Sequence, residues 1–61
     1  MTVREVIKML KKDGWYRVPS NSGSHLQFKH PFKKGKVTVP NHRGDLSPLT
    51  LKSILKQSGL A

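Results

Sequence analysis

The sequence contains no cysteine, which excludes both a disulfide framework and a thiolate metal site. Carboxylates are almost as scarce: Glu5, Asp13 and Asp45 are the only acidic residues among 61. A two-metal nuclease needs several convergent carboxylates, and this chain has no such supply. His25, His30 and His42 lack the spacing of a zinc motif, so no metal or other cofactor is expected. No apolar run reaches the length of a signal peptide or a membrane span, and a soluble cytoplasmic protein is the default expectation. A chain of this size buries only about 60% of the surface its unfolded form exposes. Residues 1–61 therefore read as one small domain, with chemistry on an open face or in a shallow groove.

Positive charge is what the chain has in excess. It carries 12 Lys and Arg, for a formal charge of +9. That surplus implies a polyanionic partner, or an acidic protein that neutralises it. The lysines are dispersed along the chain and form no tail, which argues for a charged folded surface.

Thr2 and Glu5 make the T-x-x-E pattern of a helix start, and Val3, Val6, Ile7 and Leu10 follow at spacings of three and four. Lys11 and Lys12 suit the negative end of the helix dipole, and Gly14 supplies a left-handed stop. The first helix is placed at roughly 3–13. Three strand-like runs come next, WYRV (15–18), SHLQFKH (24–30) and KVTV (36–39). The connectors PSNSG and PFKKG carry the residues that turns require, so the strands read as an antiparallel meander. Ser47 and Pro48 then open a second helix with the stripe Leu51, Ile54 and Leu55, and Gly59 closes it. The expected fold class is α+β, in the order α-β-β-β-α, with both helices on one face of a three-stranded sheet.

Alternation assigns the faces. With Leu26 and Phe28 inward, His25, Gln27 and Lys29 point outward. Val37 and Val39 inward leave Lys36 and Thr38 outward. Tyr16 and Val18 inward leave Trp15 and Arg17 outward. The uncovered face then carries Arg17, His25, Gln27, Lys29, Lys36 and Thr38. A plain solvated sheet fits the same pattern.

His25 is the candidate for chemistry. It follows a run of small residues, SNSGS, where a backbone or a substrate can approach closely, so Gly23 and Ser24 join the expected contact surface. Imidazole exchanges protons near neutral pH. RNA cleavage needs a base for the 2′-hydroxyl proton, cations on the phosphate and an acid for the leaving oxygen. It needs no metal. An ordinary exposed strand histidine is the competing reading. His30 and His42 read as structural or solvated, although either has the chemistry of a second acid–base group. Trp15 is expected to pack against the helix end, and base stacking is its secondary reading. Lys33 and Lys34 read as solvated turn charges, and NHRGD as a turn before a cap.

The segments GWYRVPSNSGSHLQFKHP, KVTVPNH and DLSPLTLKSILKQSGL, in this order and spacing, resemble the HicA family of small messenger-RNA interferase toxins. The resemblance covers nearly the whole chain. It implies a fold like the double-stranded-RNA-binding domain and an endoribonuclease whose essential histidine is His25. Gly23, Ser24, Arg17, Gln27, Lys29 and Lys36 are then the expected RNA-binding residues. It also implies a HicB-type antitoxin as protein partner. One departure is Leu26, where many relatives carry a second polar or basic residue. The alternative is a non-catalytic double-stranded-RNA-binding module, which grips phosphates with lysines at the start of its second helix. Here that helix begins SPLTLK, with no basic residue in its first turn. Membrane binding by a basic amphipathic helix is a weaker third reading, opposed by the strand meander.

Overall fold

The computed structural model describes residues 1–21 and 23–61; Ser22, within the small-residue run, lies outside the described residues. The elements are α1 (Val3–Lys12), β1 (Tyr16–Val18), β2 (His25–Lys29), β3 (Val37–Pro40) and α2 (Pro48–Ser58). The strands form an antiparallel sheet in the order β1-β2-β3. The molecule measures 29 × 27 × 17 Å, and its short dimension accommodates one sheet and one helical layer.

Both helices start where the sequence places them. Thr2 accepts a hydrogen bond from the Glu5 amide at 3.1 Å, and the Glu5 carboxylate accepts one from the Thr2 amide at 2.9 Å. These bonds, the backbone one first, hold the Glu5 carboxyl below its usual range. Ser47 caps α2 through the Thr50 amide, and Pro48 occupies its first turn. The N-terminal strap is sewn to the loop before α2, with the Leu46 amide donating to the Met1 carbonyl at 2.9 Å. Val3, Val6, Leu10, Leu26, Phe28, Val37, Val39 and Ile54 fill the core between the layers, together with Trp15 and Leu46. At the outer edge of β3, the Gln57 side chain of α2 accepts a hydrogen bond from the Thr38 amide at 3.1 Å, which covers part of that edge.

The first strand corrects the expected register. Tyr16 pairs with Lys29, Arg17 with Phe28 and Val18 with Gln27. Paired residues share a face, so Tyr16 and Val18 lie on the uncovered side and Arg17 on the side of the helices. Trp15 is buried, at 2% exposure, while Tyr16 is 49% exposed. The cause lies in how α1 ends. The Gly14 amide bonds the Lys11 carbonyl, the Trp15 amide bonds the Leu10 carbonyl, and Gly14 adopts φ +106°. This double bond pattern turns the second residue past the helix back onto the residue three places inside it. Trp15 therefore packs against the end of α1, as expected for it, and the alternation that follows is set by Trp15.

A polar cluster locks that turn. Lys33, expected as a solvated turn charge, donates from Nζ to Oδ2 of Asp13 at 2.6 Å and to the carbonyl of Ser58 at 3.0 Å. Nε1 of Trp15 donates to the same Asp13 oxygen at 3.1 Å. His30 completes the cluster. Its Nδ1 accepts from the amides of Phe32 and Lys33, so Nε2 carries the proton and donates to the Asp13 carbonyl at 2.8 Å. A Cβ on Gly14 would stand 2.8 Å from that Nε2.

Two outcomes follow. Trp15→Ala should cost about 3–5 kcal/mol, as for a large buried aromatic, whereas Tyr16→Ala should stay within about 0.5 kcal/mol. Urea denaturation measures both, and equal losses would restore the inverted register. The Lys33 hydrogen bond, aided by the Lys33 charge and by Trp15, holds the Asp13 carboxyl below its ordinary value. Its stabilisation is therefore complete above about pH 4, the unfolded value, and is lost as pH falls through the lower folded value. Asp13→Asn should flatten the acid limb of a plot of melting temperature against pH.

Candidate functional site

His25 opens β2, opposite Pro40 of β3, and is exposed. Its neighbours Leu26 and Phe28 are buried, so His25, Gln27 and Lys29 project to the side without helices. Thr38 joins them, donating from its hydroxyl to Oε1 of Gln27 at 3.0 Å. Tyr16 and Val18 complete this face from β1. Arg17, expected here, is exposed but sits on the other side, because β1 runs in the opposite register.

The turn before His25 is held from β3. The Asn41 amide donates to the Ser24 carbonyl at 2.8 Å, and Nδ2 of Asn41 donates to the Gly23 carbonyl at 3.2 Å. Oγ of Ser24 lies 3.2 Å from Nδ1 of His25. A hydroxyl both donates and accepts, so Ser24 can hold the ring in place with the proton on either nitrogen. The triplet Gly23-Ser24-His25 is thus a braced, exposed unit with the imidazole at the rim of the open face. Lys36 lies just before β3 and is exposed. It shares a shallow depression of about 340 Å³ with Gln27 and residues Pro19, Ser20 and Asn21 of the β1–β2 loop.

Six of the seven expected residues, all but Arg17, therefore belong to one continuous region. Residue-type reasoning overlooked Asn41. Its signal was positional: it falls one step beyond the His25–Pro40 pair, directly across from Ser24. The other histidines separate cleanly. His30 has both ring nitrogens engaged within the fold. His42 is exposed, and its Nδ1 lies 2.9 Å from the Arg43 carbonyl. A carbonyl only accepts, so Nδ1 carries that proton.

The carboxylates sit elsewhere. Asp13 is engaged with Lys33, Glu5 caps α1, and Asp45 lies 3.9 Å from the N-terminal ammonium. Among the described residues, no three His or acidic side chains converge as metal ligands. None of the described helices is long and apolar enough to cross a membrane.

Residues 3–60 match the family model described as the HicA toxin of bacterial toxin-antitoxin. Two solved structures are similar over almost their full lengths. A toxin-antitoxin complex from Streptococcus pneumoniae contains a chain 32% identical, with a TM-score of 0.81 and 98% of each chain covered. A HicA3 and HicB3 toxin-antitoxin complex contains a chain 33% identical, with a TM-score of 0.77, covering 98% of this chain and 96% of that one. No curated protein matches the chain. The arrangement α-β-β-β-α, the matched segment and the two structural likenesses agree, and the chain belongs to the HicA toxin family.

Proposed function

We propose that this toxin is an endoribonuclease that cuts messenger RNA without a metal, using His25 as a general acid–base group. The observation that carries the reading is the placement of His25. It is exposed, braced through Ser24 and Asn41, and set at the edge of a face bearing Gln27, Lys29 and Lys36. In the reaction the substrate's own 2′-oxygen attacks the adjacent phosphorus, and the bond from phosphorus to the 5′-oxygen breaks. A base takes the 2′-hydroxyl proton, an acid returns one to the departing oxygen, and cations stabilise the charge gathering on the phosphate. The products are a 2′,3′-cyclic phosphate and a 5′-hydroxyl. His25 supplies one of the two proton transfers, and Lys29 and Lys36 hold the phosphates.

The same face is the place for an antitoxin. Both solved structures described above are toxin-antitoxin complexes, and a chain with a formal charge of +9 favours an acidic partner. A partner laid across His25 blocks RNA sterically. A double-stranded-RNA-binding module is the poorer reading, since the first turn of α2 presents Leu49, 82% exposed, where phosphate-gripping lysines would be needed.

Purified His25→Ala protein should bind RNA about as tightly as the parent while its cleavage rate falls on the order of 10²–10⁴-fold. Cleavage by the parent should persist in EDTA. Wild-type rates from the variant, or loss of activity in EDTA, would each overturn part of this mechanism. Association with an acidic antitoxin should slow markedly as salt rises, because steering between opposite charges is screened. Stopped-flow measurements across salt concentrations test this, and a flat response would remove the electrostatic account.

A further inference from the structure

A groove beside the start of α1 shares only Asn41 with the site described above. It has a volume of about 590 Å³, within the range typical of ligand clefts (about 300–1,000 Å³). One wall is the first turns of α1, with Arg4 and Ile7, and the other is the segment after β3, with Asn41, His42 and Arg43. Arg4 and Arg43 are exposed, and neither guanidinium has a hydrogen-bond or ion-pair partner among the described residues. No carboxylate lines the groove. The nearest in sequence are engaged elsewhere, Glu5 in the α1 cap and Asp45 near the terminal ammonium. The helix amides are taken as well: the Thr2 amide bonds Glu5, and the Val3 amide bonds the Gly44 carbonyl. Anion affinity here would come from the two arginines.

The groove adjoins His25. Asn41 is both part of its wall and the clamp on Gly23 and Ser24. Pro40 stands directly opposite His25. Two residues further, the backbone at His42 is at most about 7 Å from Pro40, the limit of an extended chain. His42 braces the far rim by donating to the Arg43 carbonyl.

We infer that this groove is a second RNA subsite, which takes a nucleotide of the single strand next to the one positioned at His25. A phosphate sits between Arg4 and Arg43, and the sugar or base lies on the half-buried Ile7. Guanidinium forks suit phosphate geometry, and the apolar Ile7 in the same lining suits a nucleotide better than a bare anion. The inference rests on the reading that the toxin binds RNA, and its test separates the two. It extends the RNA path from the open sheet face, past His25, to the start of α1.

The experiment uses the full chain carrying His25→Ala, so that a fluorescently labelled single-stranded RNA survives, and measures affinity across salt concentrations. Adding Arg4→Gln and Arg43→Gln should lower the salt slope by about 1.4, since each phosphate contact on a single strand contributes about 0.7. At 0.1 M salt that corresponds to roughly 25-fold weaker binding. Arg4→Lys with Arg43→Lys, which keeps the charge, should retain most of the slope. Lys52→Gln with Lys56→Gln removes equal charge from α2, outside the groove. If that pair weakens binding as much as the arginine pair, the effect is general charge and the subsite is overturned. It is also overturned if the arginine variant binds RNA normally while Lys29→Gln with Lys36→Gln does not, a result that leaves the RNA reading standing. Normal RNA binding with a weakened antitoxin complex would make the groove a protein-docking surface instead. If the starting protein binds no RNA at any salt, both readings fall.

Discussion

The ion pair between Asp13 and Lys33 is the contact on which the arrangement of this small protein turns. It joins the end of α1 to the β2–β3 connection, 20 residues away. Through the carbonyl of Ser58 the same ammonium reaches the last residue of α2. Through the same carboxylate oxygen, Asp13 also satisfies the indole of Trp15. That bond is what lets Trp15 lie at 2% exposure with no unsatisfied donor. Trp15 in turn fixes which residues of β1 face the helices. His30 packs its ring edge-on to Trp15, with centroids 5.2 Å apart, and ties β2 to the same corner. One end of the molecule is therefore cross-braced by polar bonds, while the opposite end of the sheet, where β2 begins, carries the exposed imidazole.

Local chemistry made the helices and their limits readable. Thr2 with Glu5, and Ser47 with Pro48, act within four residues of the ends they define, so short windows contain the whole cause. The strands were readable for a similar reason: Leu26 and Phe28, or Val37 and Val39, leave little choice of face when both helices must be covered. β1 was not readable in that way. It has only three residues at a sheet edge, too few for alternation to outweigh the bonding of the helix end before it. Its register was decided by Gly14 and Trp15, acting as parts of α1. Lys33 was misread because its partners are 20 and 25 residues distant, and nothing near it in sequence points to them.

The candidate site divides along the same line. His25, Gln27 and Lys29 follow from one strand's alternation, and the structure brings them to one face. Arg17 depended on β1 and moved with it to the other side. Tyr16 takes a place on the open face beside Lys29, which adds an aromatic ring to a surface that is otherwise mostly polar. Asn41 and the groove beyond it arise only when β3 is aligned on β2, since pairing places Asn41 against the turn that carries Ser24.

Charge gives these placements a common logic. With three carboxylates against 12 Lys and Arg, every acid has a use within the fold or beside the N-terminus. None is left near His25 to repel a phosphate or to neutralise Lys29, Lys36, Arg4 or Arg43. The folded state accordingly holds a surplus of cations at close quarters, and their mutual repulsion opposes compactness. A polyanion that binds only the folded form relieves that repulsion and stabilises the fold by mass action. RNA and an acidic antitoxin would draw on the same reservoir of charge, so occupancy by one weakens the case for the other even where their contacts differ. If both bind as proposed, their competition would be set by the distribution of charge before any single contact decides it.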